Sequence, residues 1–355
     1  MSKRVILLGC CCIAALAFGP SARAVQTSGY HVLREIPMPG IEGWDYLTID
    51  SGARRLFISN NSGIVIMDID TLRQVGTVPQ PPSFTGVGLV HGVAVAAELG
   101  RGFISHERPP SVYVFDLKTL APLGVTATDR GTDAIVYDSA TKRVFTFNAK
   151  QPGVHDATVV DGVSGQALSN IPLPSAPESA VTDGAGTLYV NIPGRSAMAS
   201  IDTHALQLAK IWQLDPCREP GGLAMDAAHR RLFATCDNQI MVMVDADSGK
   251  VISKVPTGEG TDAAAFDPGT GDVFASNGEG TLTIAHEDSR EKLALVDNVK
   301  TAPGARTMAL DTVTHRVFLL AGKFGAAAPR SQDNPHGYPL ATAGSVKLMI
   351  IGPSP

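Results

Sequence analysis

An all-β fold, a seven-bladed β-propeller with four strands to each blade, is predicted by three observations. One phrase recurs seven times, its marker residue returning every 41–46 residues. Each recurrence has room for four short strands divided by turn residues. Finally, each end of the array holds only part of a blade.

The first half of the phrase is a short apolar strand, usually an Asp, a turn, and a strand with one aromatic. It reads "DYLTIDSGARRLFISN" from Asp45, "HGVAVAAELGRGFISH" from His91 and "DAIVYDSATKRVFTFN" from Asp133. It continues as "ESAVTDGAGTLYVN" from Glu178 and "GGLAMDAAHRRLFATC" from Gly221. The last two are "DAAAFDPGTGDVFASN" from Asp262 and "RTMALDTVTHRVFLLA" from Arg306. The small residues of the first strand suit a strand crowded at a central axis. The aromatics, Phe57, Phe103, Phe145, Tyr189, Phe233, Phe274 and Phe318, suit the space between neighbouring sheets. Asp50, Asp138, Asp183, Asp226, Asp267 and Asp311 open the turn, a role that suits a side chain able to bond the backbone ahead.

The second half is two further strands around another turn, as in "GIVIMDIDTLRQVGTVP". That turn begins at Asp68, Asp116, Asp161, Asp202 or Asp245, with His286 at the sixth instance. The last period supplies three strands, ending in "SVKLMIIG". Near the other end, "YHVLREIPMP" is a fourth-strand phrase with no blade before it. Pairing the two closes the ring and leaves no bare sheet edge.

Residues 1–24 are read separately. "MSKR", the apolar run "VILLGCCCIAALAF" and "SARA" follow the order of a secretory signal peptide, with cleavage expected after Ala24. A lipoprotein signal with Cys10 lipidated is the rival reading. Residues 25–355 then form a single domain, periplasmic or secreted, expected to be monomeric and without a transmembrane segment. Losing Lys3, Arg4 and Arg23 takes the formal charge from −5 to −8, which argues against binding duplex nucleic acid. Cys217 and Cys236 remain, and an oxidising compartment makes a disulfide their default state, with metal-bound or free thiols as alternatives.

"LFISNN", "LYVNI" and "VFASNG" look like the YVTN repeat, and "GWDYLTID", "GTDAAAFDP" and "ARTMALD" resemble lines of the secreted YncE-like β-propellers of bacteria. The likeness spans essentially residues 25–355. It implies the propeller fold and says little about activity.

In a propeller the start of each first strand and the end of each second strand share one mouth. The first ring is Asp45, His91, Asp133, Glu178, Gly221, Asp262 and Arg306. The second is Asn60, His106, Asn148, Asn191, Cys236, Asn277 and Ala321, with Glu107 following His106. Asp45, His91, Asp133, Glu178 and Asp262 are candidate metal ligands. Carboxylates and amides suit Ca²⁺ or Mg²⁺, while His91 and His106 admit a transition metal. Lactonases of the gluconolactonase type and virginiamycin-lyase-like propellers resemble this arrangement. A small molecule or a protein partner at the mouth is the other functional reading. The plain reading is a polar lip that bonds water and loop amides. No C-x-x-C-H, G-x-S-x-G or P-loop motif is present. The expectation is therefore a binding or scaffold protein. The alternatives are a metal-dependent hydrolase or lyase and an accessory to a periplasmic redox enzyme. The long connection over 322–345 is expected to cover the mouth, with Lys323, Arg330, His336 and Tyr338 in reach, or to be a plain Pro/Ala-rich loop.

Overall fold

The computed structural model describes residues 28–41, 43–60, 63–81, 90–151, 153–327, 329–330 and 339–354. The expected signal peptide therefore lies outside the described residues, as do His336 and Tyr338. The described chain forms seven four-stranded antiparallel sheets, the blades of one ring. No described helix is long and apolar enough to cross a membrane.

The innermost strands of blades 1 to 7 are Leu47–Asp50, Val90–Ala96, Thr132–Asp138, Ala180–Thr182, Pro220–Asp226, Thr261–Asp267 and Met308–Asp311. They crowd as their small residues predict. A Cβ at Gly222 in blade 5 would lie 2.6 Å from the backbone of Asp262 and Ala264 in blade 6. Any larger residue there must push the two blades apart. All seven marker aromatics stand on second strands and are buried between blades. The outermost strands, such as Pro122–Ala127 and Gln207–Gln213, face solvent and alternate toward exposure.

The ring closes as expected. Tyr30–Pro37 runs antiparallel to Lys347–Pro353 and becomes the fourth strand of blade 7. Tyr30 then seats its ring against Phe274 of blade 6, centroids 5.2 Å apart, so the closing strand also packs into the inter-blade core.

The Asp residues that close the innermost strands do more than open turns. Asp138 of blade 3 is buried and accepts hydrogen bonds from Thr141 of its own turn (2.6 Å) and from Thr182 (2.6 Å) and Thr203 (2.9 Å) of blade 4. Asp183 takes Arg230 of blade 5 at 3.2 Å. Asp267 meets His315 of blade 7 at 2.7 Å. Asp311 takes Arg54 and Ser51 of blade 1, each at 2.9 Å. Four of the junctions between blades are thus stapled by a carboxylate and a donor from the next blade, and charge-assisted bonds of this kind are the strong ones. At Asp138 and Asp311 these bonds outweigh burial and hold the carboxyls below their ordinary range.

Cys217 and Cys236 are joined as a disulfide with Cα atoms 5.4 Å apart. It ties the loop that enters blade 5 to the end of that blade's second strand.

Candidate functional site

The first-ring residues come together. Asp45, His91, Asp133, Glu178, Asp262 and Arg306 line one cavity of about 800 Å³ at the mouth, and Asn60 of the second ring joins them. Each stands at or just before the start of an innermost strand, so the convergence of the blades brings residues about 44 apart in sequence to one rim.

His91 organises one side. It is buried, its Nδ1 lying 2.7 Å from Asp45 Oδ2 and 3.4 Å from Asp133 Oδ1. Its Nε2 lies 3.4 Å from Glu107 Oε2. Glu107 is itself buried behind the ring and acts on the mouth through His91. Donor atoms of Asp45, His91 and Asp133 all fall within 4.8 Å of one another. On the other side Arg306 Nε lies 3.4 Å from Asp262 Oδ2. The Asp262 side chain lines the cavity and is 37% exposed. Burial first, then Asp45 and Asp133, raise its carboxyl to about 6 against the pull of Arg306.

Three aromatics complete the site. Tyr46, the residue after Asp45, lines the cavity and has Asp133, Glu178, Asp45 and Asp262 around it. Burial and these acids keep its phenol well above the ordinary range, so it remains a hydrogen-bond donor at neutral pH. Trp44 and Phe324 pack with ring centroids 5.1 Å apart and planes tilted by 37°, and Leu340 also lines the cavity. Phe324 bridges to Ala341 across the two ends of the long connection. That connection contributes apolar groups to the cavity, whereas Lys323 and Arg330 are exposed and do not line it.

The rest of the second ring departs from expectation. Asn148 is fully buried, accepting from Thr132 at 3.0 Å and donating to Thr158 at 2.9 Å and Asp156 at 2.6 Å. Asn277 repeats the clip three blades on, with Thr261 at 2.7 Å and Thr283 at 2.9 Å. Asn191 donates to the backbone carbonyls of Gly221 and Gly222 in blade 5. These amides bind strands to one another, because register sets each between polar side chains or the backbone of an adjacent strand. His106 is buried too, accepts the Arg108 N–H at 3.2 Å, and is lowered to about 4 by burial, so its imidazole is neutral. Asn148, Asn191, Asn277 and His106 are buried in these internal bonds, and of the second ring's candidates Asn60 lines the cavity.

Sequence reasoning missed Tyr46, Trp44 and Phe324. Tyr46 carried a signal: it puts a large aromatic at the head of an innermost strand, where the other blades hold small or aliphatic residues. Trp44 and Phe324 meet only in space.

No family model and no curated protein matches the sequence. Among solved structures, a chain described as "Kuenenia stuttgartiensis Hydrazine Synthase" is 14% identical with a TM-score of 0.68, the match covering 93% of this chain and 100% of that one. A chain from "Crystal Structure of Mitotic Checkpoint Complex" is 11% identical with a TM-score of 0.71, covering 97% and 98%. At such identities the likeness is one of fold, and it is the fold of a seven-bladed β-propeller.

Proposed function

We propose that this chain is a binding protein of the YncE-like kind whose mouth takes a small organic cation, an amine with an apolar body. One observation carries the reading: four carboxylates and the Tyr46 phenol share a cavity of about 800 Å³ with Trp44, Phe324 and Leu340. Clefts of this size fit small molecules. Carboxylates attract the ammonium group, and aromatic faces add about 0.5–2 kcal/mol of cation–π attraction. The signal-like residues 1–24 and the Cys217–Cys236 disulfide support a periplasmic or secreted setting.

The test uses thermal shift and calorimetry with a linear diamine and tetramethylammonium as probes, and their uncharged isosteres as controls. At least one cation should bind, and Asp133→Asn with Asp262→Asn should weaken it at least tenfold. Equal response to the neutral isosteres, or to neither set, overturns the reading.

A second reading has its own observation, the donor atoms of Asp45, His91 and Asp133 within 4.8 Å. One imidazole and two carboxylates fit a divalent ion at the mouth, and hydrolase or lyase chemistry would require it. Near-stoichiometric metal in protein purified without chelator, lost in His91→Ala, would favour this reading. Its absence removes the metal enzyme.

A further inference from the structure

On the face opposite the mouth, the junction of blades 5 and 6 inverts the stapling arrangement. Wherever the other staples form, the Asp at the end of an innermost strand meets a donor from the next blade. In blade 5 that residue is Asp226, and blade 6 brings it Glu287.

Glu287 sends its backbone N–H to Gly271 O. Ile69, Leu117, Gly162, Thr203 and Ala246 make the same bond in their own blades, to Arg54, Gly100, Lys142, Gly186 and Arg230. Five blades thus place an apolar side chain, a glycine or a hydroxyl where blade 6 places a carboxylate. The comparison with Thr203 is the sharpest, because its hydroxyl donates to Asp138 of the preceding blade at 2.9 Å. Glu287 stands in the same relation to Asp226 and brings a second acid in place of a donor.

The turn has changed as well. Three residues past the Asp, blades 3 and 7 use Thr141 and Thr314, whose hydroxyls donate to that Asp at 2.6 Å. Blade 5 uses His229, with Nδ1 2.6 Å from Asp226 Oδ2 and 3.6 Å from Glu287 Oε1. The two acids are nearly closed off, at 4% and 3% side-chain exposure, while His229 is 57% exposed and borders solvent. Neither oxygen of Glu287 receives a hydrogen bond among the described residues. Arg231 and Arg290 stand nearby but are engaged elsewhere. Arg231 bonds Asp245 at 2.8 Å and the carbonyls of His229, Arg230 and Arg290, while Arg290 bonds the carbonyl of His229.

Two buried carboxylates face to face repel, and a buried charge is costly unless a counter-charge or a proton sits between them. We propose that Asp226, His229 and Glu287 form a binding site for a divalent transition-metal ion, bridging blades 5 and 6 on the face away from the mouth. Their donor atoms all lie within 4.8 Å of one another. A tetrahedral ion with bonds of about 2.0–2.2 Å wants its ligands about 3.3–3.6 Å apart, so small rotations of these side chains suffice. One imidazole nitrogen with two carboxylate oxygens suits Zn²⁺ better than Ca²⁺, which prefers six or more oxygens. The exposed imidazole gives the ion its entry path and leaves a fourth position open to water. The site owes nothing to the mouth and stands whether or not an amine binds there.

The experiment is calorimetric titration of chelator-stripped full chain with Zn²⁺ alone. It is run in wild type and in an Asp45→Asn/Asp133→Asn background that silences the mouth. That background is expected to hold one Zn²⁺ per chain and to melt at a higher temperature with the ion. His229→Ala and Glu287→Gln, each added to it, should weaken Zn²⁺ at least tenfold and abolish the thermal shift. His229 is exposed, so its variant tests the ligand without disturbing the core. Far-ultraviolet circular dichroism and the metal-free melting temperature confirm that both variants fold. Absence of Zn²⁺ binding in the background leaves a shared proton between the two acids and overturns the proposal. Binding within twofold of the background in His229→Ala and Glu287→Gln does the same. Ca²⁺ binding as tightly as Zn²⁺ overturns the choice of metal class.

Discussion

Asp133 and Asp138 bracket one innermost strand and live in opposite circumstances. At the far face, Asp138 is packed out of water and takes three hydroxyl donors from two blades. At the mouth, Asp133 borders an open cavity, shares the imidazole of His91 with Asp45, and stands near Glu178 and Asp262. The same side chain serves the ring at one end and gathers charge at the other. What separates them is the neighbour each blade supplies: a donor below, another acid above. The Asp226–Glu287 junction is the place where the far face adopts the arrangement of the mouth.

The contrast assumes that both rings hang on one inter-blade core, and this is the costliest thing to break. Phe233→Ala, truncating a fully buried ring between blades 5 and 6, should cost about 3–5 kcal/mol by chemical denaturation. A loss under about 1 kcal/mol would mean that the blades do not pack through their aromatics.

Asp138→Ala should cost about 3 kcal/mol, because it strands three donors, two of them in the neighbouring blade. Asp133→Ala should change stability by less than about 1 kcal/mol while weakening cation binding at the mouth. Equal costs at the two ends would mean that Asp133 and Asp138 serve the ring alike.

The smallest effect has a sign that tells the two ends apart. Asp262 is raised in the folded state from near 3.8 to about 6, so between those values the native chain holds more protons than the unfolded one. Its contribution to stability therefore falls as pH rises from about 4 to 6. Asp138 and Asp311 are lowered, so their contribution is present above the ordinary carboxyl range and is lost on acidification below it. Asp262→Asn should raise stability at pH 7 by about 1 kcal/mol, a figure reduced for screening because its side chain opens to solvent in the channel. It should also flatten the melting temperature across that window in chelator. An unchanged slope would mean that Asp262 is not crowded by its fellow acids.

The fold was legible because a propeller repeats its instructions. Seven aromatics and seven first-strand phrases marked every blade, and the unpaired phrase "YHVLREIPMP" announced the closure. The first ring was legible for the same reason: a repeat places equivalent positions around one axis. The second ring was not, because the use of Asn148 and Asn277 depends on Thr132, Thr158, Thr261 and Thr283, which register alone brings beside them. The far-face Asp residues read as turn formers, since their second partners belong to the next blade. Glu287 was silent for a related reason. It stands near the end of a strand, just before a turn, where a carboxylate is ordinary, and only the approach of Asp226 makes it exceptional.

Ring closure has a consequence in time. The strand Tyr30–Pro37 finds its partner only in Lys347–Pro353, so its hydrogen bonds wait for nearly the whole chain to be made. Until then blades 1 to 6 form an arc with two raw flanks, the condition in which sheets recruit strangers. Tyr30 is also absent from beside Phe274 during that interval, so blade 6 lacks part of its packing as well. Closing the ring is thus a long-range step, slow by its topology, and it removes the bare flanks of the arc.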